Sequence, residues 1–149
     1  MLADCAPIAF LATSDPGRAR AFFRDALGLP LVGEDAFALV FETGGVALRV
    51  VTVPTVTPAP YTVLGWEVPD VAGALDALAA AGVAPERFPG LAQDARGVWA
   101  SPSGARVAYF RDPDGNLLSI SQLPESPGAG AGAGTAQAGA PALSNRGHG

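Results

Sequence analysis

The sequence predicts an α+β fold in which one βαβββ unit occurs twice. Three observations carry that prediction. Two helix openings, each an Asp followed by an amphipathic run, repeat at a fixed shift: Asp15 and Asp70 are 55 positions apart, as are Ala19 and Ala74. Two glycine-turn hairpins, FETGGVALRV from Phe41 and FRDPDGNLLSI from Phe110, align Gly45 with Gly115. Strand-like runs surround each helix in the same order. A repeat of this length marks a duplicated supersecondary unit.

The first half begins with the apolar run Ile8–Ala12, ending at Thr13-Ser14-Asp15. Asp15 is a good N-cap, Pro16 suits the first helical turn, and Gly28 stands where a C-cap glycine belongs. Ala19, Phe22, Phe23, Ala26 and Leu27 fall on one helical face. Leu31–Gly33, Phe37–Glu42 and Val46–Val53 follow as strands, with Thr43-Gly44-Gly45 turning the last two into a hairpin. Residues 54–60, PTVTPAP, carry prolines at 54, 58 and 60, which excludes a helix or a central strand and predicts an extended linker.

The second half restarts with Tyr61–Val68. Val71, Ala74, Leu75, Leu78 and Ala79 repeat the helical spacing, and Gly82 closes it. Glu86–Phe88, Val98–Ala100, Arg106–Phe110 and Leu117–Ser121 read as strands, with a longer loop at Pro89–Gly97. In the turn Asp112-Pro113-Asp114-Gly115, Pro113 fixes its own φ and Gly115 supplies the positive φ of a reversal. The modules therefore span about residues 7–53 and 61–123. Residues 124–149 are rich in Gly and Ala and lack aromatics, which predicts a disordered tail.

Composition narrows the function. At 149 residues and net charge −5, with every basic residue an arginine, the chain has no basic stripe for nucleic acid and no lysine for Schiff-base chemistry. No apolar run is long enough to span a membrane, and the N-terminus lacks a signal-peptide pattern. A single cysteine, Cys5, excludes an intrachain disulfide and fits a reducing, cytoplasmic setting. No histidine or base stands beside it to make it a nucleophile. Ser101 and Ser103 lack the histidine of a hydrolytic triad, since the one histidine of the chain is His148.

Tandem βαβββ modules, the opening D-P-x-R-A-x-x-F-F-x-x-x-L-G-L at Asp15–Leu29 and the closing F-x-D-P-D-G-N-L-L at Phe110–Leu118 together resemble the vicinal oxygen chelate superfamily. That group includes glyoxalase I, extradiol dioxygenases and bleomycin-resistance proteins. The resemblance implies sheets curled into a cup with the helices outside, and often a divalent metal held by His and Glu or Gln from the first and last strand of each module. Register carries those ligand positions onto Ile8, Val63, Arg49 and Ser119. Aliphatic groups, a guanidinium and a lone hydroxyl do not make a ligand set for a divalent ion, so no metal or other cofactor is expected.

Strand alternation then gives the residues expected to line the cup: Phe10, Arg49, Val63, Trp99, Tyr109 and Ser119 as ligand contacts, with Glu67 nearby. Arg49 among aliphatic neighbours needs an anionic partner, either a ligand or an internal carboxylate such as Glu67. Trp66 points the other way, towards a helix. Trp99 and Tyr109 fit a ligand wall and a packed core equally. The leading expectation is a homodimeric, bleomycin-resistance-like binder of a small organic molecule, anionic or aromatic. The alternative is a lyase, isomerase or dioxygenase with atypical metal ligation, or metal-free chemistry with Glu67 as base and Arg49 as oxyanion stabiliser.

Overall fold

A computed structural model describes residues 1–125 of the chain. Its elements are β1 (Ile8–Thr13), α1 (Pro16–Arg20), β2 (Leu31–Glu34), β3 (Ala38–Thr43), β4 (Val46–Thr52), β5 (Leu64–Glu67), α2 (Val71–Ala80), β6 (Trp99–Ala100), β7 (Arg106–Arg111) and β8 (Leu117–Gln122). The fold is α+β, with two open four-stranded sheets ordered β1-β4-β3-β2 and β5-β8-β7-β6. In each, the outer pair β1–β4 or β5–β8 is parallel and the remaining pairs are antiparallel. The duplication is thus a property of the backbone: Phe10 pairs with Arg49 as Gly65 pairs with Ser119.

The described chain forms two compact units, Met1–Pro58 with Asp112–Asn116, and Ala59–Arg111 with the described residues from Leu117 on. In the first, Asp15 caps α1 by accepting a hydrogen bond from the Arg18 amide at 3.1 Å. Leu39, Phe41, Leu48 and Val50 on the helix-facing side of the sheet are buried, as are Phe22 and Phe23. The Phe23 ring lies 5.6 Å from that of Phe41. The uninterrupted α-helix expected here is not observed, because Ala21–Ala26 winds as a π-helix. The Leu27 amide donates to the Phe22 carbonyl at 2.9 Å, and the widened turn keeps two consecutive aromatic rings against the sheet.

The second unit repeats the plan. Asp70 caps α2 through the Ala72 amide, and Val71, Leu75 and Leu78 are buried along the helix. Trp66 stacks on Phe110 with ring centroids 6.3 Å apart, on the sheet face that carries Leu118 and Ile120, as alternation predicts. Two strand assignments are corrected. The first strand starts at Leu64, not Tyr61. Glu86–Phe88 is not a strand: the Glu86 amide bonds to the Tyr109 carbonyl, but the Phe88 amide turns to the Gln93 side chain at 2.9 Å. Pro85 and Pro89 on either side have no amide hydrogen to continue a ladder.

The turn of the β7–β8 hairpin belongs to the first unit. Asp114 accepts from the Thr13 hydroxyl (2.5 Å) and from the Ser14 amide (2.9 Å) and hydroxyl (3.1 Å). Arg18 donates to the Pro113 carbonyl, and the Asn116 side-chain amide donates to the Ala12 carbonyl. The disordered-tail expectation falls mainly on residues outside the described ones. Among the described residues no helix is long and apolar enough to cross a membrane.

Candidate functional site

The sheet face turned away from α1 carries Ile8 and Phe10 from β1, Ala47, Arg49 and Val51 from β4, and Ala38, Val40 and Glu42 from β3. Arg49 sits on a central strand, flanked by Phe10 on one side and Val40 on the other. This face is open: Phe10 is 61% exposed and Ile8 54%. Arg49 itself is half-buried. It has no ion pair within 4.0 Å and no side-chain hydrogen bond among the described residues. A carboxylate that feels its charge is Asp35, in the β2–β3 turn. Amides of Phe37 and Ala38 hold the Asp35 carboxyl below its ordinary value, with Arg49 a smaller influence.

The corresponding face of the second sheet is covered over β7 and β8, while its β5 edge, at Gly65 and Glu67, is exposed. Tyr109, Val107 and Leu117 cluster with Ala105, and Phe88, Leu91, Trp99 and Leu123 pack over them. Phe88 meets the Tyr109 ring edge-on at 5.3 Å. Trp99 and Tyr109 are therefore core residues of their own module. Ser119 is buried, and a β-carbon on Gly65 would lie 2.5 Å from its Oγ, so the Ser119 hydroxyl fills the space beside Gly65. Val63 lies just before β5 and is exposed; Glu67, at the end of β5, is exposed and makes no ion pair among the described residues.

The six sequence-derived contact residues thus fall into two environments. Phe10 and Arg49 share an open face, while Trp99, Tyr109 and Ser119 lie on a covered one, with Val63 at its margin. The covering loop was not legible as a wall. Its signal was present in the pair Phe88 and Leu91 within an otherwise polar, proline-flanked segment. The internal partner suggested for Arg49, Glu67, sits in the other unit.

The positions to which the resemblance assigns metal ligands do not fit that role. Ile8 and Val63 have no donor atom, Arg49 is a cation, and the Ser119 hydroxyl is packed beside Gly65. Among the described residues no three His, Cys, Asp or Glu side chains gather into a group able to hold a metal ion.

A comparison with curated proteins gives no match. Solved structures with the same fold include a glyoxalase family protein from Enterococcus faecalis, with a TM-score of 0.66 and 16% identity, covering 82% of this chain and 100% of that one. A lactoylglutathione lyase from Agrobacterium tumefaciens has a TM-score of 0.62 at 19% identity, covering 79% of this chain and 93% of that one. A bleomycin-binding protein complexed with bleomycin has a TM-score of 0.60 at 20% identity, covering 79% and 98%. An enzyme and a binding protein are matched alike, so these likenesses speak to the fold. The model of the Glyoxalase/Bleomycin resistance protein/Dioxygenase superfamily matches residues 5–120, nearly the whole described chain, and the protein belongs to that superfamily.

Proposed function

We propose that the protein binds a small organic acid, aromatic or acyl in its apolar part, on the open face of the first sheet, without a metal ion. The supporting observation is Arg49. A half-buried guanidinium between Phe10 and Val40, with no carboxylate of the described residues within ion-pair distance, offers a charge-assisted fork beside apolar surface. A carboxylate ligand would supply the missing counter-charge while its ring or chain covers Phe10 and Ile8. The bleomycin-binding relative makes a binding role familiar for this fold. The same reading includes a homodimer, in which the exposed Ile8 and Phe10 would be partly covered.

Benzoate serves as the probe. The proposal expects a thermal shift with benzoate that survives EDTA and is lost in Arg49→Leu, while benzyl alcohol gives none. At 100 times its dissociation constant a ligand adds about 2.7 kcal/mol of stability. A shift abolished by EDTA would favour a metal-dependent lyase, isomerase or dioxygenase instead. Turnover lost in Glu67→Gln would favour metal-free acid/base chemistry. Light scattering across a concentration series tests the dimer.

A further inference from the structure

The Tyr109 hydroxyl is buried and has no hydrogen-bond partner among the described residues. The whole residue is only 2% exposed, and burial pushes its phenol pKa up, so it is a neutral donor. An unsatisfied buried hydroxyl is a standing cost that folded proteins seldom carry without a reason. It lies in the cluster that Phe88 and Leu91 cover.

The segment carrying those two residues is tied chiefly to itself. Gln93 donates to the carbonyls of Glu86 and Gly97 and accepts from the Phe88 amide. Arg87 donates to the carbonyls of Asp94 and Ala95, each at 2.7 Å. Asp94 accepts from the amides of Arg96 and Val98. Its side-chain ties to the rest of the unit include Arg96–Asp76 and Glu86–Arg111, both solvent-accessible ion pairs of the kind that contribute little. Residues 86–97 thus form a body with its own internal bonding, held on the sheet by Phe88 and Leu91 and, at its start, by the Glu86 amide, which donates to the Tyr109 carbonyl.

We propose that this loop is a displaceable cover over an apolar subsite whose polar group is the Tyr109 hydroxyl, and that the subsite takes an aryl or acyl group bearing a neutral hydrogen-bond acceptor, such as a ketone, ester or amide carbonyl. The ligand ring replaces Phe88 on Val107 and Leu117, and its carbonyl oxygen accepts from Tyr109. The site is independent of Arg49 and stands or falls separately from the anion-binding reading.

Acetophenone and ethylbenzene test it, because they match in ring and size and differ in the carbonyl. In NMR titrations, acetophenone should bind about tenfold more tightly than ethylbenzene, as expected for satisfying one buried donor. Tyr109→Phe should erase that preference and at the same time raise the melting temperature, since it removes the unsatisfied group. Phe88→Ala should tighten acetophenone binding several-fold, because less cover has to be displaced. Arg49→Leu should leave acetophenone binding unchanged while abolishing that of benzoate. The proposal is overturned by failure of both neutral compounds to bind, by equal affinities, by a preference that persists in Tyr109→Phe, or by weaker or unchanged binding in Phe88→Ala.

Discussion

Position for position, the two sheets share a topology and differ in what lies on their faces. Phe10 opposes Arg49 in the first sheet and stands mostly in solvent; Gly65 opposes Ser119 in the second, where the Ser119 hydroxyl stands in the place a β-carbon would take. The difference traces to one connection. In the first unit, residues 27–30 join the helical segment to β2, too few to reach the sheet's far face. In the second, residues 81–98 join α2 to β6, and that length brings Phe88 and Leu91 onto Tyr109 and Leu117. Duplication fixed the backbone, and the loop decided how much of that face each copy left accessible.

Exchanging residues between equivalent positions attacks this comparison most directly. Gly65→Phe, which installs the first sheet's residue in the second, should cost about 2 kcal/mol, because its β-carbon would meet the Ser119 Oγ at 2.5 Å and force that buried hydroxyl to turn. The reverse exchange, Phe10→Gly, should cost no more than about 1 kcal/mol, the range of strand propensity at an exposed site. Urea midpoints of the two variants measure both, and equal losses would mean the faces are not different. Similar in size, Phe88→Ala should cost about 2 kcal/mol, less than a fully buried ring, because the side chain is part-exposed. Tyr109→Phe should instead gain about 1 kcal/mol. Arg49→Leu should stay within about 0.5 kcal/mol of the parent, since no partner is lost.

The hairpins differ as well, and their pH response sharpens the contrast. Gly44-Gly45 reverses the first with two residues. The second uses Asp112–Asn116, where the buried Asp112 carboxylate accepts from the amides of Asp114 and Asn116 and from the Asn116 side chain. Desolvation raises its pKa, opposed in part by those hydrogen bonds. A raised folded value means the folded state holds the proton more tightly. The contribution of Asp112 is therefore most favourable below the ordinary carboxylate range, about pH 4, and declines as pH rises towards the folded value. Against Asp112→Asn, the parent should lose stability across that window; a parent that gains stability there would reverse the assignment.

Much of this was legible in the sequence. Asp15 and Asp70 cap their helices because a short carboxylate before an apolar run has few other uses, and Gly115 has the positive φ, 87°, that its turn requires. Strand alternation placed Phe10 with Arg49 and sent Trp66 to the helix side. The π turn at Ala21–Ala26 was not legible, because a widened turn preserves nearly the same apolar spacing. Nor was the packing of Trp99 and Tyr109 into a covered cluster, since alternation tells which face a residue occupies and not what covers it. Glu86–Phe88 looked like a strand because its apolar content serves the sheet face rather than a ladder.

Amide and arginine side-chain NMR shifts during a benzoate titration, with EDTA present, measure the central difference between the two sheets. The expected result is a set of changes confined to β1 and β4 around Phe10, Arg49 and Val51, including the Arg49 Nε–H signal, and absent in Arg49→Leu. Changes centred on β7 and β8, or an unaltered pattern in Arg49→Leu, would contradict an anion site on the open first sheet.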